Sequence, residues 1–322
     1  MKIPRISFII LATIVLTLAA CSPVTDTPAP SPDTEPTAGT PAEAPTVETP
    51  GTGLTEEVLK NSEYIIVEEN EPFLVRLTDG AYQYGVDPAA EDYVSISLSD
   101  VFAFGDLNGD GAQDAVALLV ENYGGTGVFL SLVAVVDENG LPKHVSTAFI
   151  DDRPIVYSLE IRDGDILMNV VVHAPDDPMC CPSQGDERTY RLEARGLHLT
   201  HLTSSREGTT RRVITIDSPA QGSEVGRVFP LKGSVSIAPF ENNLVVRIFD
   251  AAGNQVYIGP LLVNAPDMGA PGTFDASISL EGIEISPGPI RIEVEDVSMA
   301  DGSTLALDSV QVTLKQAGAS LP

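Results

Sequence analysis

From residue 212 to 314 the chain shows no helical period, only short β-branched runs broken by Gly and Pro. The runs cover 213–216, 233–237, 244–249, 274–280, 290–294 and 305–314. Short strands at regular spacing, with turn signals between them, predict a β-sandwich over 212–316.

Upstream the signal changes only slightly. Residues 54–60 carry one short helical pattern, and the runs 73–77, 115–120, 128–136 and 166–172 alternate or are β-branched. Asp79-Gly80, Asn139-Gly140 and Asp163-Gly164 are dipeptides that reach positive φ at little cost and so mark hairpin turns. The expected fold class is mainly β. An antiparallel β-rich (α+β) domain over 54–203 precedes an immunoglobulin-like sandwich, with the charged, Thr-rich 204–211 segment as linker and 317–322 as a tail.

Residues 1–20 have the form of a secretory signal: Lys2 and Arg5, an apolar run, then small residues. The run is too short to span a bilayer as a helix. Leu18-Ala19-Ala20-Cys21 resembles the bacterial lipobox, which implies that the Cys21 thiol carries diacylglycerol and becomes the mature N-terminus. An ordinary cleaved signal with a cysteine at its junction is the alternative. Residues 21–53 are rich in Pro, Thr, Ala and Glu and read as a disordered tether, reaching at most ~90 Å if extended.

Charge narrows the partners. With 18 basic and 46 acidic residues the chain carries −28, and removal of Lys2 and Arg5 leaves 16 − 46 = −30. Such a surface excludes nucleic acid and repels anionic lipid, so bilayer contact is expected through the acylated Cys21 alone. The expected location is extracytoplasmic, anchored to the cell membrane. Ser22 is not the Asp that favours inner-membrane retention, so the outer membrane is open in a diderm host.

Two constellations carry chemistry. In Phe104-Gly105-Asp106-Leu107-Asn108-Gly109-Asp110-Gly111-Ala112-Gln113-Asp114, oxygen side chains fall at positions 1, 3, 5 and 9, with Gly at 6. A hard Ca²⁺ ion needs that donor pattern, with the Ala112 carbonyl at position 7. The loop is similar to the calcium loops of the FG-GAP and dockerin type. It departs from the EF-hand at position 12, where Ala117 stands in place of a bidentate Glu. A structural Ca²⁺ on Asp106, Asn108, Asp110, Ala112 and Asp114 is expected, with a metal-free Asx-rich turn as the alternative.

The second constellation is Asp176-Asp177-Pro178-Met179-Cys180-Cys181-Pro182-Ser183. Once Cys21 is acylated, Cys180 and Cys181 are the remaining thiols, and outside the cytoplasm they pair with each other or with another chain. Neighbouring Cα atoms are ~3.8 Å apart, below the usual disulfide span of about 4.4–6.8 Å, so a vicinal bridge is easily reduced. It serves either as a rigid turn or as a redox switch.

Family resemblances cover both halves. Ile216-Asp217-Ser218-Pro219, Pro230-Leu231-Lys232-Gly233, Phe240-Glu241-Asn242, Asp250-Ala251-Ala252-Gly253, Phe274 and Ser298-Met299-Ala300-Asp301-Gly302-Ser303 resemble the immunoglobulin-like domain of bacterial spore germination. That likeness implies a sandwich with no known catalytic residues. The Asp-Leu-Asn-Gly-Asp-Gly loop, then Gly124-Gly125-Thr126-Gly127, Asp152-Arg153 and Asp-Pro-Met-Cys-Cys-Pro, in that order, resemble uncharacterised bacterial lipoproteins. No activity is implied by this second likeness.

The remaining motifs argue against catalysis. Gly124-Gly125-Thr126-Gly127 lacks the Lys-Ser/Thr of a phosphate loop and reads as a turn. Gly-x-Ser-x-Gly, Ser-x-x-Lys and His-Glu-x-x-His do not occur. His198 and His201, three apart on an expected strand, fall on opposite faces and form no joint site. The expectation is a non-enzymatic, lipid-anchored envelope protein that binds an unknown protein or cell-wall partner. Its alternatives are an acidic inhibitor of a cationic cell-wall hydrolase and a redox protein using Cys180 and Cys181.

Overall fold

Thr55 opens the folded region, its hydroxyl accepting the Val58 N–H at 3.3 Å as the cap of α1 (Glu56–Lys60). The computed structural model describes residues 53–68, 71–90 and 92–316. The signal, Cys21, the tether before Gly53 and the 317–322 tail lie outside the described residues.

Helix α1 buries Leu59 and leads into a hairpin of β1 (Glu63–Glu68) and β2 (Glu71–Arg76). Five antiparallel strands follow in sheet order: β3 (Ala81–Tyr84), β4 (Val94–Gly105), β5 (Asp114–Asn122), β6 (Phe129–Asp137) and β7 (Pro142–Asp152). A meander of β8 (Ile155–Arg162), β9 (Asp165–Val172), β10 (Gln184–Glu193) and β11 (Gly196–Arg206) completes this half. The turn dipeptides behave as their chemistry dictates: Asp79, Asn139 and Asp163 sit at φ 51°, 58° and 53°, each followed by a positive-φ glycine.

The five-stranded sheet is a middle layer, which explains its sequence. Ala115, Ala117, Leu119, Val133 and Val135 pack under α1 and the hairpin, against Leu59, Tyr64 and Ile66. Their neighbours Val116, Leu118, Leu132 and Ala134 point the other way, onto Ile166, Met168, Val170 and Tyr190 of the meander. Burial on both faces makes β5 and β6 read as continuous apolar runs where a half-exposed strand would alternate.

The second half is mainly β as well. It contains β12 (Ile214–Ser218), β13 (Glu224–Val225), β14 (Val228–Val235), β15 (Asn243–Asp250), β16 (Gln255–Leu262), β17 (Gly272–Ser279), β18 (Gly288–Val297) and β19 (Thr304–Leu314). A β12-β14-β17 sheet packs on β16-β15-β18-β19 around Leu231, Leu244, Val246, Phe274, Ile292 and Val294. Gly233 lies directly opposite Phe274, and a Cβ there would come within 2.3 Å of the Phe274 ring and 2.0 Å of the Thr215 carbonyl oxygen. That close approach requires a glycine at the end of the Pro-Leu-Lys-Gly step.

The two halves share a sheet. Strand β11 pairs with β19 at Leu202 and Leu307, giving the order β16-β15-β18-β19-β11-β10-β9-β8. Ser204 Oγ donates to the Leu305 carbonyl at 2.6 Å and Ser309 Oγ to the Thr200 carbonyl at 2.8 Å. The described residues of both halves accordingly fall in one compact unit. The 204–211 segment begins inside β11, and Ser204 and Arg212 exchange backbone hydrogen bonds across it at 3.3 and 2.7 Å.

This seam buries charge. On β18, Ile290, Ile292 and Val294 face the sandwich core, while Arg291, Glu293 and Glu295 on the opposite face are also buried. Arg291 pairs with Glu193 through Nε at 3.1 Å, contacts Glu293, and lies 4.4 Å over the Phe249 ring. The histidines correct the expectation of opposite faces. A bulge places His201 opposite Thr189 but Leu199 opposite Tyr190, so the extra residue, Thr200, returns His198 and His201 to the same face. His198 meets Glu293 at 2.6 Å and His201 meets Asp308 at 3.3 Å, both across the seam.

Candidate functional site

Arg153, just beyond β7, adopts φ 52°, a left-handed conformation unfavourable for a side chain of its size. The surrounding bonds hold it there. Its backbone N–H donates to the Val128 carbonyl at 2.7 Å, and the Val128 N–H donates to Asp152 Oδ1 at 2.8 Å. Its guanidinium forks onto the Asp152 carboxylate, Nε to Oδ1 at 3.0 Å and Nη2 to Oδ2 at 2.6 Å. The third arm, Nη1, donates to the Met179 carbonyl at 3.1 Å.

Three stretches far apart in the chain therefore meet. The glycine segment is a turn: Gly124 and Gly125 sit at φ 89° and 73°, the Asn122 amide brackets the turn by bonding Gly124 N–H and Gly127 O, and Gly125 N–H donates to Pro88. It delivers the chain to Val128 and hence to Asp152-Arg153. The Asp-Pro-Met-Cys-Cys-Pro loop is the third member. Asp177 closes its base, Oδ2 accepting the N–H groups of Ala174 and Ser183 at 2.8 Å each and Oδ1 the Ser183 hydroxyl at 2.8 Å. Those donors, led by the Ala174 N–H, hold the Asp177 carboxyl below the usual carboxylate range. Arg206 reaches in from β11 to both Asp176 and Asp177 and lowers the Asp176 carboxyl in the same way.

Cys180 and Cys181 are disulfide-bonded, with Cα atoms 3.8 Å apart, and both are exposed. Several large apolar side chains on the joined segments are exposed. Met179 is 64% exposed, and Ile155 and Tyr157, just past Arg153, are 48% and 72% exposed. Phe149 is 62% exposed and lies 6.3 Å from Phe129, which in turn lies 6.2 Å from Tyr123. Large exposed apolar side chains mark contact surfaces where they adjoin in one patch. Sequence reasoning missed Arg206, Phe149, Ile155 and Tyr157, none of which carries a local signal. The spacing of the Asp152-Arg153 step was visible, but its role as the joint was not.

One partly buried pair adjoins this site. Asp151 Oδ2 accepts from the backbone N–H of His173 at 2.5 Å and contacts Nδ1 at 3.0 Å, which places the imidazole proton on Nδ1. His173 Nε2 is buried and has no partner among the described residues. Among the described residues no Ser, Thr or Cys is bonded to it.

The 106–114 loop folds with its oxygens turned to backbone amides. Asp106 accepts from Gly109 at 2.7 Å and Gly111 at 2.9 Å, Asn108 from Asp110 at 2.9 Å, and Asp110 from Ala112 at 2.7 Å. Those donors keep the Asp106 carboxyl below its usual range. Asp114 is fully buried, accepting from Leu107 and Asp137 at 2.9 Å each, and burial pushes its carboxyl up, with the charges of Asp110 and Asp106 adding to the rise. Oxygen donors of this kind suit a hard cation, and each bonded oxygen keeps a second lone pair. Among the described residues no three His, Cys, Asp or Glu side chains are gathered around one point.

A depression of about 990 Å³ lies elsewhere, between the Asp250 turn and the 281–289 loop. Its guanidinium, Arg227, donates to the carbonyls of Leu280, Ile283 and Ile285 and so ties the 281–289 loop down. No curated protein matches the chain. Residues 213–303 match Gmad2, the immunoglobulin-like domain of bacterial spore germination, whose boundaries enclose β12 to β18.

Proposed function

We propose that this chain is a lipid-anchored, extracytoplasmic binding protein, tethered through Cys21, whose contact surface is the apolar ground around Arg153, Met179 and the Cys180–Cys181 bridge. The observation that supports it is the convergence just described. Three stretches that form no continuous element are joined at Arg153, a strained backbone position, its backbone N–H bonding Val128 and its guanidinium bonding Asp152 and the Met179 carbonyl, and Phe149, Ile155, Tyr157 and Met179 on those stretches are exposed. Strain is kept where the surrounding structure over-determines it, and such places are enriched at sites of recognition. An immunoglobulin-like sandwich fused by a shared sheet supplies a rigid body on which to present it.

A photo-crosslinking residue at Tyr157 in intact cells tests the reading. A discrete adduct is expected from Tyr157, lost in Arg153→Ala, and absent from a control at the exposed Val86. Equal yields from both positions, or an adduct indifferent to Arg153, would contradict it.

Within this reading the 106–114 loop holds a structural Ca²⁺, with the side chains of Asp106, Asn108, Asp110 and Asp114 and the Ala112 carbonyl as donors. The charge balance supports it: Asp106, Asp110 and Asp114 share one short loop, and no Lys or Arg among the described residues pairs with any of them.

A further inference from the structure

A bond between consecutive residues is a poor staple. Cross-links stabilise largely by restricting the unfolded chain, in proportion to the logarithm of the residues enclosed, and Cys180 and Cys181 enclose none. The loop is also closed without it, since Asp177 bonds Ala174 and Ser183 and Arg206 holds Asp176. What the bridge does fix is the backbone immediately after Met179, and the Met179 carbonyl is the acceptor that Arg153 Nη1 requires. Both cysteines are open to solvent, and the Cα separation of 3.8 Å falls short of the span an unstrained bridge takes. Exposed and strained bridges are the ones that external thiols reduce.

We infer that Cys180–Cys181 is a thiol–disulfide exchange site for an external dithiol, and that its reduction releases the Met179 carbonyl from Arg153. A thiolate of the dithiol attacks one of the two sulfurs. The S–S bond breaks, a mixed disulfide forms, and the other cysteine leaves as a thiolate that takes up a proton. The second thiol of the reductant, deprotonated, then attacks its own sulfur in the mixed disulfide. It departs as a disulfide and frees the second cysteine, which is protonated in turn. Two electrons and two protons pass to the protein, and the dithiol is oxidised. Nothing in this step depends on what the surrounding surface binds.

The test uses the full-length protein, dithiothreitol at neutral pH without denaturant, alkylation and peptide mass spectrometry. Alkylation of both Cys180 and Cys181 is expected after dithiothreitol and of neither before it. The thermal midpoint should move by less than about 4 °C, the shift that roughly 1 kcal/mol produces in a domain of this size. Protease nicking within residues 174–183 should rise several-fold on reduction, and Cys180→Ser/Cys181→Ser should show the same nicking without reductant. Labelling before reduction, labelling only after unfolding, or nicking that ignores the bridge would each overturn the inference.

Discussion

Arg153 donates to the carbonyl of Met179 at 3.1 Å, and by that bond a position just past β7 holds the loop that carries the disulfide. The same guanidinium satisfies Asp152, whose side chain is only 8% exposed. Removing it leaves a buried carboxylate with a single backbone donor, Val128. Arg153→Ala should lower stability by about 1–3 kcal/mol in denaturant unfolding. Arg153→Lys, which keeps the charge without the fork, should recover only part of that. A neutral result for Arg153→Ala would mean that the joint is incidental.

His144 carries a pH dependence. Its Nδ1 accepts the Ile65 N–H at 3.0 Å, tying β1 to β7, so the ring proton sits on Nε2, toward the Ser146 carbonyl at 3.0 Å. Burial lowers its pKa below the ordinary histidine value. The unfolded chain therefore takes up the proton first as pH falls through about 6.5, and stability drops until the folded-state pKa is reached. Between pH 7.5 and 5 the wild type should lose stability more steeply than His144→Gln, by at most about 1.4 kcal/mol per pH unit. Parallel curves would contradict the neutral assignment.

Arg291 separates Glu193 from Glu293 at the seam between the two halves. Arg291→Ala removes the cation from Glu193 and leaves Glu293 with His198 alone, and should cost about 3–5 kcal/mol. Because β11 and β19 share a sheet, wild-type calorimetry should give a single transition. Two separated transitions would show that the seam does not couple the halves.

The acidic loop gives a chelation test. With Ca²⁺ on Asp106, Asn108, Asp110, Ala112 and Asp114, excess chelator should lower the thermal midpoint, and millimolar CaCl₂ should restore it by mass action. Asp110→Asn should blunt the response. An unchanged midpoint would make the loop a self-sufficient Asx turn, held by the amides of Gly109, Gly111 and Ala112.

Local chemistry was legible in the sequence. The turn dipeptides, the short helix behind Thr55 and the strand runs are all decided within a few residues, and the structure places them there. Properties set by distant partners were not. Arg291, Glu293 and Glu295 alternate with apolar residues, as on a half-exposed strand, and are buried only because β18 lies against partners such as Glu193 and His198. The face of His198 depends on one extra residue at Thr200, which no periodicity rule detects. Asp152-Arg153 and the cysteine loop are visible as motifs, but their meeting through Met179 is a contact between residues 26 apart in the chain.

Location, oxidised sulfurs and available calcium all rest on Cys21, so the mass of the N-terminal peptide from membrane-extracted native protein is the most direct measurement. The expected result is a chain that starts at Cys21 and carries diacylglycerol on its sulfur, with Cys21→Ser found in the soluble fraction. A peptide that retains Met1, or an unmodified Cys21, would contradict it.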